Sequence, residues 1–252
     1  MKIALCFLTY DNLSQPKLWS KIFYNINNKD KLNVYIHNKI PFVDKKYNLH
    51  KYCIKNKIKT EHGTNSLVEA TLLLLKSAFL HDVENEYFIL LSDKCIPLYN
   101  FNFIYNKIGQ INSNIISCVY GNIERYDDIN DKTFFDKDHF FKQSQWCLLK
   151  RETVKFFIEN NYLHLFNDMF YALDEHYFVN ICNKFDIKYE NFCITYVNWC
   201  DKNEDPNERD QPKTYIKLTN QIAHKIIQEN PCFFMRKISK SCILPTYFHN
   251  IS

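Results

Sequence analysis

Apolar runs typical of buried strands alternate with helical stripes over the first half of this 252-residue chain. Continuous apolar runs closed by polar residues favour strands covered on both faces, whereas apolar residues three or four apart favour amphipathic helices. The resulting βαβαβαβ order predicts an α/β sandwich with a mostly parallel central sheet. The predicted strands are 2–9, 32–37, 86–92 and 114–120, and the predicted helices are 15–26, 65–80 and 100–110.

Polar residues follow three of these predicted strands directly. Parallel sheets of this kind bind ligands in the crevice beyond the carboxyl ends of their strands. We therefore expect Thr9–Asn12, His37–Lys39 and Ser92–Cys95 to lie together at one edge of the sheet.

The second half of the chain continues the pattern with longer polar stretches. It shows no internal repeat and no linker, so we expect a single domain over residues 1–252. Long polar stretches such as 121–142 and 200–213 are typical of binding loops. The predicted strands here are 144–149 and 193–198, and the predicted helices are 151–160, 174–184 and 219–230.

Composition excludes several classes of function. The chain has only 3 glycines, and neither a GxGxxG nor a GxxxxGK[ST] motif occurs, which argues against P-loop and Rossmann dinucleotide chemistry. A net charge of +4, without any run of five basic residues, gives no reason to expect a nucleic-acid partner.

The 10 cysteines are scattered and form no CxxC pair, so a zinc ribbon or a thioredoxin-like site is not supported. Several lie inside apolar runs, as buried free thiols do in a reducing compartment. No apolar run is long enough for a membrane span, and the N-terminal run is too short for a signal peptide. We expect a soluble, cytoplasmic protein.

Eight blocks of sequence, in order, resemble one known family. The blocks begin with SLVEATLLLLKSAFL and EYFILLSDKCIPLYNFNFIY between residues 65 and 105. They are similar to the core-2/I-branching β-1,6-N-acetylglucosaminyltransferase family (glycosyltransferase family 14), and closest to its plant branch. The likeness spans about residues 2–240. The later blocks are KQSQWCLLKRE (142–152), YLHLF (162–166), DEHYF (174–178), ITYVNW (194–199), QPKTYIK (211–217) and FFMRK (233–237).

The resemblance implies a GT-A glycosyltransferase fold, with a nucleotide-binding half at about 1–120 and an acceptor and catalytic half at about 121–252. It also implies inverting, metal-independent transfer of a sugar from a UDP-sugar to a hydroxyl of a glycan or glycoprotein. N-acetylglucosamine is the sugar that the family implies, and xylose is the alternative. We expect no cofactor.

The resemblance places the general base at Glu175, in the Asp174–Glu175 pair. Inverting transfer needs one carboxylate to take the proton of the acceptor hydroxyl. The predicted helix 174–184 would put Glu175 at a helix N-terminus, where a negative charge is favoured. Outside this family, an acidic pair at a helix start commonly does no more than complement the helix dipole.

Without a metal ion, basic side chains must neutralise the leaving diphosphate. The family pattern places these at Lys237 and Arg236 of FFMRK and at Lys217 of QPKTYIK. Lys213 is the alternative if the register of that block slips.

The nucleoside is expected at the ends of the first strands, near Leu8 and Thr9. His37 stands where animal members carry an aspartate, and His62 stands where the family carries an aromatic residue that could stack on uracil. Asp93 follows the strand that ends in an Asp-x-Asp pair in metal-dependent relatives of the fold. Here a lysine follows it, which argues against a bridging metal.

The acceptor side is expected at Gln145 and Trp146, with Lys142 and Asp174 nearby. Trp146 could stack on a sugar face or belong to the core, and Trp199 is the more structural of the two tryptophans.

Two other interpretations remain. The chain could be an inactive member of the fold that binds a glycan or nucleotide, or a metal-dependent glycosyltransferase that uses Asp93 or the Asp136/Asp138 pair. Because the chain begins directly at its first strand, without an anchor or stem, we expect a cytosolic or virus-factory enzyme.

Overall fold

A six-stranded sheet forms the centre of the computed structural model, which describes residues 1–43, 45–121, 123–168, 170–199 and 211–250. Its strand order is β2-β1-β3-β8-β5-β9. The strands of the chain are β1 (Lys2–Thr9), β2 (Leu32–Asn38), β3 (Asn85–Ser92), β4 (Ile96–Pro97), β5 (Asn114–Ile115), β6 (Cys118–Tyr120), β7 (Phe141–Gln143), β8 (Leu148–Lys150), β9 (Tyr189–Glu190), β10 (Thr195–Val197), β11 (Tyr215–Lys217), β12 (Phe234–Arg236) and β13 (Ile238–Ile243).

Helices of four to sixteen residues connect these strands, together with short 3₁₀ turns. Of the α-helices, α2 is the sixteen-residue one predicted at 65–80. The helices are α1 (Pro16–Phe23), α2 (Ser66–His81), α3 (Phe101–Ile108), α4 (Ile123–Tyr126), α5 (Arg151–Glu159), α6 (Tyr177–Lys184), α7 (Asn220–Glu229) and α8 (Tyr247–Asn250).

The central sheet is mostly parallel, as the sequence predicts. β1 pairs in parallel with both β2 and β3, and β5 pairs in parallel with β9. β8 runs antiparallel to both β3 and β5. The start of β8 therefore lies at the carboxyl end of β3, with Ile89 opposite Leu148. This reversal brings the residues that precede β8 to the edge where β1 and β3 end.

Helices cover both faces of the sheet, which gives the α/β/α sandwich that the sequence predicts. In β1, Ile3, Leu5 and Phe7 join one buried cluster with α1 and α3. Ala4 and Cys6 point the other way, into a second cluster built with α2, α5 and α6. Alternate side chains of β1 thus pack into two different cores, one on each face of the sheet. Because both faces are buried, the sequence of the strand is apolar throughout.

A smaller sheet of β10, β12 and β4 lies beside the carboxyl end of β3. β12 runs parallel to β10 and antiparallel to β4, which follows β3 after only three residues. The amide of Ile238 also donates to the carbonyl of Lys94 at 2.9 Å. These pairings bring the C-terminal Arg236–Lys237 segment to the end of β3.

Three local predictions need correction. The helix predicted at 174–184 begins only at Tyr177, after a 3₁₀ turn at Leu173–Glu175. The strand predicted at 114–120 is two short strands, β5 and β6, in different sheets. Ser66 and Glu69 have the spacing that predicts a capping box at the start of α2, but the Ser66 hydroxyl accepts from the amide of Glu61 and does not cap the helix. Within the described ranges, no helix combines the length and the apolar character needed to cross a bilayer.

Candidate active site

A cleft of about 600 Å³ opens at the carboxyl ends of β1 and β3. It is the position that a sheet of this topology offers to a ligand. Ten of the residues expected from the sequence line this one cleft: Leu8, Thr9, His62, Asp93, Gln145, Trp146, Asp174, Glu175, Arg236 and Lys237.

Glu175 lies in the 3₁₀ turn at Leu173–Glu175. We call the part of the cleft wall built from this turn and from the end of β12 the irregular side, because it lies outside the central sheet. Ala172 starts this turn with a left-handed backbone (φ 58°), and its carbonyl accepts from the amide of Glu175 at 3.0 Å. Glu175 therefore precedes the first residue of α6 by two positions. The expectation that it lies inside a helix N-terminus is wrong, and a side-chain contact holds it instead.

That contact is an ion pair with Lys142 of β7. The Nζ of Lys142 lies 2.9 Å from Oε2 of Glu175, and both side chains remain partly exposed. Among the described residues, Lys142 is not part of the cleft wall. Its contact is thus with the expected base, and the predicted contact with the acceptor stays a prediction.

Asp174 is buried at the back of the same turn, with 8% of its surface exposed. Burial, together with the neighbouring charge of Glu175, raises the pKa of Asp174 to about 7. The two adjacent carboxyl groups therefore have different surroundings: Glu175 is half-open and paired with a lysine, and Asp174 is desolvated. Such a difference between neighbouring carboxyl groups is typical of sites that move protons.

Arg236 ends β12 and extends its guanidinium over the indole of Trp146, with Cζ 4.6 Å from the ring centroid. Burial lowers the pKa of Arg236, while the charges of Asp93, Asp174 and Glu175 act in the opposite direction. Its Nε is buried without a hydrogen-bond partner among the described residues. A desolvated cation with an unused donor is well suited to an anionic ligand.

Trp146 has little exposed surface at the cleft, and its stacking on a sugar stays a prediction. Its side chain is 5% exposed, and the ring is occupied by the Arg236 guanidinium. Lys237, next in the chain, is also buried (8% exposed), and its Nζ contacts Oε1 of Gln211 at 2.5 Å. Two of the three cations predicted for the diphosphate thus lie on the cleft wall.

Asp93 also lines the cleft, just after β3. It is 9% exposed, and burial raises its pKa. Within the part of the chain that the structure describes, no group of three or more His, Cys, Asp or Glu side chains is placed to hold a metal ion. The Asp136/Asp138 pair is exposed, and the Asp136 carboxylate bonds only to neighbours in sequence among its described contacts. It accepts from the amide of Asp138 and contacts Nδ1 of His139. The absence of a metal requirement stays a prediction.

Besides Lys142, two other expected residues lie outside the cleft wall. His37 is fully buried inside β2, where its Nε2 accepts from the amide of Ile58 at 3.0 Å. Lys217 is exposed on β11. The pairing of β11 with β13 slips between Tyr215 and Lys217, so Lys217 does not share the inward direction of buried Tyr215. The alternative Lys213 lies over the Tyr215 ring, outside the cleft wall.

The cleft wall also includes Tyr10 and Lys39, which belong to the strand-end segments expected at this edge, and Tyr171 and Trp199, which are not expected there. Tyr10 and Lys39 follow β1 and β2 immediately, so their position after predicted strands was the available signal. Tyr171 precedes the turn of the expected base. Trp199, which we expect to be more structural than Trp146, is 66% exposed at the cleft.

A second cavity of about 710 Å³ adjoins the cleft and shares Arg236 and Lys237 with it. Lys94 and Lys240 add positive charge there, and Lys240 is paired with Asp11 at 2.5 Å. The basic side of the cleft therefore continues past the expected diphosphate position.

An open α/β sheet with a charged cleft across its strand ends defines an α/β domain with a candidate ligand site at the position typical of such sheets. The family model for the Core-2/I-Branching enzyme matches residues 3–229, which is most of the chain. The chain belongs to the Core-2/I-Branching enzyme family. Its mixed α/β architecture with a largely parallel sheet agrees with the fold expected for that family.

Similarity to individual proteins is more distant. "Glycosyltransferase BC10" of Oryza sativa subsp. japonica is 27% identical over 168 residues, which cover 63% of this chain and 41% of that protein. The chain thus spans about two fifths of the length of this curated relative. Among solved structures, a 4-diphosphocytidyl-2C-methyl-D-erythritol synthase from Anaerococcus prevotii has a TM-score of 0.31 and 11% identity, covering 64% of this chain and 77% of its own.

Proposed function

We propose that this protein is an inverting glycosyltransferase that moves a sugar from a UDP-sugar to a hydroxyl group of a glycan or glycoprotein. The observation that carries the proposal is the shared cleft. A partly exposed carboxylate, Glu175, lines the same cleft as a half-buried cation, Arg236, and a buried one, Lys237. Family membership and the glycosyltransferase relative support the same reaction class.

In the proposed reaction, Glu175 acts as general base. Its carboxylate takes the proton of the acceptor hydroxyl while that oxygen bonds to the anomeric carbon of the donor. The bond from the anomeric carbon to the phosphate oxygen breaks on the opposite side, and UDP leaves with the electron pair. A positioned base of this kind contributes about 10²–10⁴-fold to the rate.

Arg236 and Lys237 act on the leaving group. The diphosphate gains negative charge as the sugar leaves, and cations fixed in a desolvated wall stabilise that charge without reorganising. Arg236 is held by Trp146 at 4.6 Å, and Lys237 by Gln211 at 2.5 Å. Both cations are thus in place before the ligand arrives.

The remaining cleft residues divide between the two substrates. Leu8, Thr9 and His62, near the strand ends, are proposed for the nucleoside, with Asp93 beside the donor. Gln145 and Asp174 are proposed for the acceptor and the transferred sugar. The proposed donor is UDP-N-acetylglucosamine, with UDP-xylose as the alternative, and the reaction is proposed to need no metal ion.

The test is release of UDP from a panel of UDP-sugars with glycan acceptors, with and without EDTA. We expect one donor to be turned over in EDTA and the Glu175→Gln variant to lose about 10³-fold in kcat. UDP binding, followed by thermal shift, should persist in that variant. The matched control is Glu159→Gln, an exposed glutamate of α5 paired with Lys155, and it should retain wild-type rates.

Each contrary result points to a different conclusion. Full activity in Glu175→Gln would show that Glu175 is not the general base. Activity lost in EDTA and restored by Mn²⁺ would favour a metal-dependent enzyme that uses Asp93. UDP binding without turnover of any donor or acceptor would favour the binding-only alternative.

A further inference from the structure

The segment that carries Glu175 rests on the loop that precedes α2. Ala172 donates its amide to the carbonyl of Gly63 at 2.8 Å. Two residues beyond this loop's glycine, Asn65 donates from Nδ2 to the carbonyl of Asn167 at 3.1 Å. The two loops are about 110 residues apart in sequence, and both Gly63 and Ala172 line the cleft.

Gly63 meets the ring of Tyr171 at this junction. A Cβ placed on Gly63 would lie 2.4 Å from Cε2 and 2.7 Å from Cδ2 of Tyr171, closer than any side-chain contact allows. Gly63 also has a positive φ of 74°, which favours glycine at this position. The absence of a side chain at residue 63 is therefore what allows the Tyr171 ring to lie against the loop.

Other contacts fix the same ring. His62 meets it edge-on, with ring centroids 6.4 Å apart and an interplanar angle of 85°. The guanidinium of Arg125 lies 5.0 Å from the ring centroid. Tyr171 is still 49% exposed, so its ring is held by these neighbours and not by the core.

We propose that Gly63 and Tyr171 form a brace that positions Glu175 for proton transfer. Tyr171 and Ala172 directly precede the turn that bears Glu175, and that turn has a left-handed start and no side-chain cap. Displacing the Tyr171 ring would shift the chain at Ala172 and, with it, the Glu175 carboxylate. Misplacement of a catalytic group by about 1 Å can cost 10²-fold in rate. This inference rests on the proposed role of Glu175.

A double-mutant cycle tests the brace. Gly63→Ala should lower kcat at least about tenfold while the KM for the UDP-sugar changes less than about threefold, because the base is displaced and the cations are not. Tyr171→Phe should keep wild-type kcat, since the ring is retained. Tyr171→Ala should lower kcat, and Gly63→Ala added to Tyr171→Ala should cost less than about twofold more, because the clash has gone.

Two matched controls separate this effect from general destabilisation. Gly109→Ala adds a methyl group that would lie 3.3 Å from the flexible end of Met1 and 3.4 Å from the carbonyl oxygen of Tyr105. Tyr24→Ala removes another tyrosine of similar exposure, 46%, far from the cleft. Both should leave kcat within about twofold of the wild type.

A second readout does not depend on activity. Hydrogen exchange of the Ala172 amide should be at least about tenfold faster in Gly63→Ala than in the wild type. The double variant Gly63→Ala/Tyr171→Ala should exchange this amide no faster than Tyr171→Ala alone. Additive losses of kcat, or an effect confined to KM, would overturn the brace even if the glycosyltransferase proposal holds. If no donor is turned over by the wild type, the proposed function fails, and unchanged exchange at Ala172 in Gly63→Ala then overturns the brace separately.

Discussion

The two sides of the cleft are built in different ways. On one side, Thr9 and Ser92 end parallel strands whose positions are fixed by backbone pairing over seven or eight residues. On the other side, Glu175 and Arg236 lie at the end of a 3₁₀ turn and of a three-residue strand. There, ion pairs, ring contacts and single hydrogen bonds fix the side chains.

This difference has a physical consequence. A strand end inside a six-stranded sheet keeps its place when one side chain is changed, because the backbone ladder remains. A side chain held by one aromatic ring or one lysine has no such support. We therefore expect the irregular side to carry most of the chemistry and to be the more sensitive to substitution.

After Glu175, the largest effect is expected at Arg236 and Lys237. Removing one fixed donor from a site that stabilises developing charge costs about 10²–10³-fold in rate. Arg236→Ala and Lys237→Ala should each lower kcat/KM about hundredfold, whereas Thr9→Val on the strand side should lower it less than about fivefold. Steady-state kinetics with the identified UDP-sugar would measure all three variants.

Lys217→Ala is the control for that comparison, since its exposed side chain lies away from the cleft. Its kcat/KM should match the wild type. A loss at Lys217 as large as that at Lys237 would mean that the exposed lysine reaches the substrate. An equal loss at Thr9 would remove the distinction between the two sides.

The sequence predicts the strand side well and the irregular side poorly. The predicted strand at 2–9 coincides with β1, because a strand with a helical layer on each face must be apolar throughout. The predicted helix at 65–80 differs from α2 by a single residue at each end. Both depend on patterns that repeat over many residues.

The irregular side offers no such repeat. An alanine gives no sequence signal for a left-handed backbone, so Ala172 does not reveal the 3₁₀ turn that carries Glu175. The sequence predicts the start of a helix there instead. The slip between Tyr215 and Lys217 depends on the partner strand, which lies more than twenty residues later. Glu175, Arg236 and Lys237 were found through the family resemblance, because position along the chain does not bring them together.

A smaller effect is expected at Trp146, which supports Arg236 without touching the ligand in our proposal. Cation–π contacts in desolvated sites contribute about 2 kcal/mol. Trp146→Leu should therefore lower kcat/KM about 30-fold, and Trp146→Phe should recover part of that loss because it keeps a ring face. The ratio of kcat/KM between Trp146→Phe and Trp146→Leu, measured under saturating acceptor, separates the effect of losing the ring from the effect of losing packing.

Thermal unfolding of both Trp146 variants provides the control. If Trp146→Phe and Trp146→Leu lose equal activity while Trp146→Phe is the more stable, the ring face has no role in holding Arg236. Trp146 would then belong to the core alone.

The smallest effect is expected from Asp174, and it concerns stability. Burial raises the pKa of Asp174 to about 7 in the folded protein, above the value of an exposed aspartate. Folding thus favours the protonated acid: its stabilising contribution is complete below pH 4 and is lost as the pH rises through about 7. Asp174→Asn cannot ionise, so its free energy of unfolding relative to the wild type should rise by about 1–2 kcal/mol between pH 6 and pH 8.

Urea unfolding at pH 6, 7 and 8 measures this difference, and Asp138→Asn, at an exposed position, is the control. Because the positive charges of Lys142 and Arg236 oppose the shift, an added Lys142→Met change should enlarge the pH dependence of the wild-type Asp174. Parallel stability curves for the wild type and Asp174→Asn would show that Asp174 is ionised throughout. The irregular side would then hold two charged carboxylates beside Arg236, and the contrast between Asp174 and Glu175 would disappear.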